Sequence, residues 1–190
     1  MKHTHTSLFR AFIIILVILT TLFSLTACGG TASSNDVRIE ETVADNGLVP
    51  CQLIRVVDGD TLVVVFNGKE TKVRLIGVNT PESVSNDSSR NTEEGKIASD
   101  YVKDLLSNHS TVWLEMDEDW YDQYDRLLAY VYLEDGTMLN EHILSIGYAR
   151  TMFYAPNFKY QTRLESAEKS AKKQQAGFWP TKSGRDALYG

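Results

Sequence analysis

Cysteine, histidine and proline are scarce in this chain of 190 residues, with two, four and four of each. Two cysteines cannot build a disulfide scaffold or a thiolate zinc site. Four prolines beside twelve glycines do not make a fibrous or low-complexity chain. His109 and His142 have no Ser or Cys constellation near them, which argues against a hydrolytic triad. Positive charge is also short, with 19 Lys and Arg against 25 Asp and Glu, a net charge of −6. A surface of that sign repels polyanions on average, so any grip on one must be local. The remaining balance, 43% hydrophobic, 10% aromatic and 23% charged, suits a folded chain with room for one domain.

Only one long apolar run is present. Lys2 and Arg10 lead into an uncharged stretch, Ala11 to Ala27, whose first nine residues, Ala11–Leu19, are all apolar. At 17 residues it is marginal for a membrane-spanning helix and fits the core of a signal peptide. It ends in Leu25-Thr26-Ala27-Cys28-Gly29, which resembles the bacterial lipoprotein cleavage box. The resemblance implies that residues 1–27 are a signal peptide, cut before Cys28, and that Cys28 is acylated. The other reading is an uncleaved anchor helix. Both place the rest of the chain outside the cytoplasm, held at the cell membrane on its extracellular side, with shedding of part of the population left open. Without Lys2 and Arg10 the mature chain holds 17 basic and 25 acidic residues, net −8. Cys51 then has no partner and reads as a small buried hydrophobe at a strand start.

Residues 28–47 read as a flexible tether, since Gly29 to Asp36 contains no core-forming residue. The folded domain is expected over 48–180, with 181–190 as a tail. Leu48–Val57, Thr61–Phe66 and Thr71–Val78 are β-branched-rich runs, separated by Asp58-Gly59-Asp60 and Asn67-Gly68. Such turns between such runs predict a three-stranded meander. Pro81 and the Ser/Asn/Asp-rich stretch to Arg90 predict a loop. A helix capped from Asn91 and Glu94 runs to about Leu106, Thr111–Glu115 and Leu127–Leu133 are two more strands, and Met138–Ile146 is a short helix ended by Gly147. A last helix spans about Tyr160 to Gln175, after which Phe178-Trp179-Pro180 folds back as a plug. The fold class is α+β, predominantly β: five strands and three helices in the order of an OB-fold barrel.

Each polar residue in this pattern has an ordinary reading. Asp58-Gly59-Asp60-Thr61 suits a plain hairpin turn, Pro81 simply ends a strand, and Arg126 after Asp122 and Asp125 suits a surface ion pair. Yet Asp60, Arg74, Asn79, Glu82 and Arg126 all fall at or beside strand ends, which an OB barrel gathers around one cleft. Two arginines with hard oxygen donors suit a phosphodiester: guanidinium forks bind phosphate oxygens in pairs. Carboxylates with a carbonyl suit Ca²⁺, and a glutamate can orient or deprotonate water.

Three blocks carry a wider resemblance: Val57-Asp58-Gly59-Asp60-Thr61, Val73-Arg74-Leu75-Ile76-Gly77-Val78-Asn79-Thr80-Pro81-Glu82 and Tyr124-Asp125-Arg126-Leu127-Leu128-Ala129-Tyr130-Val131-Tyr132. In order and spacing they resemble the staphylococcal (micrococcal, thermostable) nuclease family, from about Cys51 to Trp179. The resemblance implies an OB-fold enzyme, acting as a monomer, that cuts DNA and RNA with Ca²⁺ and leaves 3′-phosphate ends. It implies Asp60 as a calcium carboxylate, Asn79 as a second ligand and Thr80 as a ligand through its carbonyl. Arg74 and Arg126 would bind the scissile phosphate and Glu82 would act on the attacking water. Asp58 would be a peripheral acid, and Tyr124 and Tyr154 fall at the nucleotide-pocket tyrosines. Two departures stand out. Asn79 replaces the family's usual second Asp, which removes one charge from the metal site and predicts a higher calcium requirement. Gln123-Tyr124-Asp125 replaces Lys-Tyr-Gly and sets a carboxylate beside Arg126. Both departures also suit an alternative, a non-catalytic surface OB-fold module that binds nucleic acid or protein. The acidic stretch Glu115 to Asp125 and the basic stretch Arg150–Lys173 read as solvated surface.

Overall fold

The computed structural model describes residues 47–84 and 90–189. The expected signal peptide, Cys28 and nearly all of the expected tether lie outside the described residues, as do positions 85–89 of the Ser/Asn/Asp-rich stretch.

Three strands open the domain: β1 (Val49–Asp58), β2 (Thr61–Phe66) and β3 (Lys69–Leu75), joined by the two expected turns and paired antiparallel. The ladder breaks one residue later. Gly77 takes φ +74, a conformation that other residues rarely adopt, and re-aims the chain into a separate short strand, β4 (Gly77–Asn79). The single run expected over Thr71–Val78 is therefore two strands. After the loop come helix α1 (Glu93–Leu106), β5 (Thr111–Glu115), β6 (Leu127–Tyr132) and helix α2 (Leu139–Ser145). A three-residue strand β7 (Arg150–Met152) follows, then α3 (Gln161–Gln174) and α4 (Lys182–Tyr189).

The barrel closes in the order β1-β2-β3-β6-β5, with β5 returning to β1. The five-stranded OB-fold expected from the sequence is present. Its interior comes from strand alternation: Leu62, Val64, Val73, Leu75, Val112, Leu114, Leu127, Ala129 and Val131 are all buried. Cys51 is buried among them and free, and desolvation pushes its thiol up to about 11, leaving it inert.

Two features correct the expectation. A second sheet pairs β4 with β7 antiparallel, Asn79 opposite Arg150. The helices number four among the described residues rather than three, because the expected tail over 181–190 folds as α4. That helix is held by tertiary contacts. Leu188 joins Phe178, Trp179, Ala98 and Ala171 in a second apolar cluster, which also confirms the Phe178-Trp179 plug. Arg150 Nε donates to the Leu188 carbonyl at 2.6 Å, and Arg185 donates to the Trp179 carbonyl at 2.7 Å.

The acidic stretch has structure too. Glu115 accepts from the hydroxyls of Tyr132 (2.8 Å) and Tyr160 (3.1 Å) and from the Lys159 ammonium, tying β5 to the start of α3. Burial disfavours this carboxylate, but the Lys159, Tyr132 and Tyr160 bonds together outweigh it and hold its pKa below the usual value.

Candidate active site

A cleft of about 690 Å³ opens where the β1–β2 turn, β3, the segment after β4, the 119–126 turn and the segment after β7 meet. Two of its walls are pinned together by Asn157, which accepts from the Asp119 N–H and donates to its carbonyl, both at 2.8 Å. All of the sequence-derived candidates among the described residues except Thr80 line this cleft, and Thr80 lies directly behind it, bonded to Asp60.

Arg74 faces the cleft because its neighbours Val73 and Leu75 face the barrel. Both terminal nitrogens of its guanidinium are engaged, in an ion pair with Asp60 at 3.1 Å and in bonds to Asn79 Oδ1 at 3.2 Å and to the carbonyls of Leu75 and Val78. Asp60 is in turn oriented by the Thr80 N–H (3.1 Å) and the Thr61 hydroxyl (3.0 Å). These contacts fix Asp60, Arg74, Asn79 and Thr80 as one unit. Asp58 sits beside it, accepting from the Gly59 N–H (2.8 Å) and from the Ser83 hydroxyl (2.7 Å) and N–H (3.2 Å). Burial pushes its pKa up, the Ser83 and Gly59 bonds oppose that, and the Asp60 charge adds to it.

Glu82 is placed through its backbone. Thr92, the N-cap of α1, donates its N–H to the Glu82 carbonyl at 2.9 Å and accepts from the Gly95 N–H at 2.9 Å. Gly95 lets the helix approach this closely, since a Cβ there would lie 2.1 Å from the Glu82 carbonyl oxygen. The cap is one residue later than the Asn91 expected. The Glu82 carboxyl has Arg90 at 3.7 Å. Its pKa is raised by burial first, then by the charges of Asp60 and Asp58, against Arg90 and Arg74. A glutamate tuned upward is a better proton acceptor near neutral pH.

Arg126 enters from the other side. The carboxylate that meets it is Asp122, not the adjacent Asp125. Asp122 Oδ2 accepts from Nε and from a terminal nitrogen of Arg126, both at 2.7 Å, and Oδ1 accepts the N–H groups of Tyr124 (2.9 Å) and Arg126 (3.0 Å). Asp125 is exposed with φ +57, which turns it out into solvent. The left-handed conformation explains why a glycine suits this place. Burial works against the charged form of Asp122, but the Arg126 backbone and guanidinium and the Tyr124 N–H prevail and lower its pKa. Tyr124 lies under the Arg126 guanidinium, 5.6 Å from centroid to Cζ. Tyr124 and Tyr154 are 71% and 66% exposed, too open for core packing and available for stacking.

The oxygen set offered by Asp60, Asn79 and Thr80 is one carboxylate, one amide oxygen and one backbone carbonyl. Hard neutral and anionic oxygens of this kind fit Ca²⁺, at low total charge. The Thr80 hydroxyl is buried without a hydrogen-bond partner, a polar atom left over within the same unit. Among the described residues no group of three or more His, Cys, Asp or Glu forms a metal cage, so neutral oxygens and water would complete the shell.

Sequence reasoning missed Ser83, Arg90 and Lys72, all at or beside the cleft, and left the acid for Arg126 open between Asp122 and Asp125. Only Lys72 left a readable signal, two residues before Arg74 and on the same strand face.

Known proteins resemble this chain over most of the described domain. A family model described as staphylococcal nuclease homologue matches residues 72–181. The chain is 45% identical over 128 residues to the thermonuclease of Staphylococcus hyicus, covering 67% of this chain and 74% of that protein. It is 42% identical over 147 residues to the thermonuclease of Staphylococcus intermedius, covering 77% and 80%. It is 41% identical over 139 residues to endonuclease YncB of Bacillus subtilis, covering 72% and 64%. By its family model and by these relatives, the chain belongs to the staphylococcal nuclease family.

Proposed function

We propose that this protein is a calcium-dependent nuclease that cuts DNA and RNA to 3′-phosphate ends, works as a monomer, and is held on the extracellular side of the membrane by a lipid on Cys28. The hydrolase class follows from the family. The observation that carries the finer reading is the convergence of Arg74, Arg126 and Glu82 on one cleft beside an oxygen-only set.

In this reading Arg74 and Arg126 grip the scissile phosphate from two sides and stabilise the charge that grows on it. Each is held in place by a carboxylate, so little reorganisation is needed when the phosphate arrives. Glu82 orients a water and takes its proton as the water oxygen bonds to phosphorus. The bond from phosphorus to the 5′ oxygen breaks, and that oxygen leaves with a proton from solvent. Asp60, Asn79 and the Thr80 carbonyl would hold Ca²⁺, which supplies charge neutralisation at the phosphate. Tyr124 and Tyr154 flank the cleft as stacking surfaces for the base.

Arg126→Ala and Glu82→Ala are expected to keep the circular dichroism spectrum of the wild type and to lose ~100-fold or more in kcat. Near-normal cleavage by either variant sinks the assignment of roles. The single negative ligand at the metal site favours a second reading, a surface module that binds without cutting. Calcium-independent binding of DNA with no turnover would select it.

A further inference from the structure

We propose that Lys72 binds the phosphate next to the scissile one, so that the enzyme favours strands with consecutive phosphates over an isolated phosphodiester. The inference rests on the nuclease reading above. Lys72 and Arg74 are two residues apart on β3, and buried Val73 between them faces the barrel, so both project to the cleft side. Two residues of strand span about 6.7 Å, a separation that neighbouring phosphates of an unstacked strand can match. β6 runs parallel beside β3 with Val73 opposite Leu127, which sets Lys72 level with Arg126. The three cations thus form one row and corner on the cleft wall.

Their partners differ. Arg74 is tied to Asp60 at 3.1 Å, Arg126 to Asp122 at 2.7 Å and Arg90 to Glu82 at 3.7 Å. Lys72 is exposed and, among the described residues, is the one cleft-lining cation with no carboxylate partner. A phosphate reaching Arg74 or Arg126 shares its guanidinium with a carboxylate already there. A phosphate reaching Lys72 displaces only water. The flexible stem and point-like charge of a lysine suit a phosphate whose orientation does not matter to the chemistry, whereas the reacting phosphate takes the rigid forks.

The test compares an oligothymidylate with thymidine bearing one nitrophenyl phosphodiester, which has no neighbouring phosphate. Lys72→Ala is expected to raise KM for the oligonucleotide about three- to fivefold and to leave kcat within about twofold. Its KM for the nitrophenyl ester stays at the wild-type value. The slope of log(kcat/KM) against log[salt] on the oligonucleotide becomes shallower by about 0.7, and Lys72→Arg restores both readouts. An equal KM change on the two substrates, or none on the oligonucleotide, overturns the proposal while the nuclease reading stands. A wild-type protein that cuts neither substrate overturns both.

Discussion

Asn79 is the residue whose chemistry departs furthest from a strong calcium site. Its Oδ1 accepts from Arg74 at 3.2 Å, so it is already oriented toward the Asp60 unit. A carboxylate in its place would add one negative charge without altering side-chain length. Asn79→Asp should therefore lower the Ca²⁺ concentration for half-maximal cleavage by about tenfold, with a matching gain in the calcium-induced rise of Tm. An unchanged calcium dependence in both readouts would remove Asn79 from the ligand set. Partner choice at Arg126 shows why single residues were only half legible. The sequence places two aspartates near it, and the left-handed backbone at Asp125 decides between them in favour of Asp122. Turn geometry of that kind is not encoded in residue type alone, because Asp tolerates both conformations.

Elements carry the next level of control. Helix α1 sets the position of Glu82 through contacts that leave no room at Gly95. Gly95→Ala should push the helix off the Glu82 backbone, costing about 1–3 kcal/mol of stability and ~10-fold or more in kcat through misplacement of the carboxyl. Full activity in a folded Gly95→Ala protein would show that Glu82 does not depend on this contact. The β5–α3 junction depends on Glu115 in a different way. Its folded-state pKa lies below the ordinary glutamate value, so its stabilisation is complete above about pH 5 and is lost as pH falls through the lowered value. Glu115→Gln should be less stable than the wild type at pH 7, and the gap should close on acidification. Denaturant melts at several pH values would read this, and a gap that stays constant would contradict it. The barrel strands were legible because Asp-Gly and Asn-Gly turns punctuate alternating runs. β7 and α4 were not. Three residues show no period, and α4 is a short helix carrying Gly184 that is fixed by Leu188 and Arg150 rather than by its own propensity.

At the scale of the whole molecule, charge and site oppose each other. The chain carries a net charge of −6, and five carboxylates share the cleft with four cations. Non-specific affinity for a polyanion should be weak, so substrate retention falls to a few placed groups and to a cation that offsets the acids. Motif order and hairpin signals in the sequence pointed to Arg74, Glu82 and Arg126 as a set. The separate partners that hold them, Asp60 for Arg74, Arg90 for Glu82 and Asp122 for Arg126, emerged only when β3, the 119–126 turn and the N-terminus of α1 came together in three dimensions. The measurement that bears most directly on this reading is cleavage of single- and double-stranded DNA across a Ca²⁺ titration, with a chelator arm. Internal cuts that need millimolar Ca²⁺ and disappear with chelator are expected. Cleavage that persists in chelator, or a folded protein that cuts neither substrate at any Ca²⁺ concentration, would contradict it.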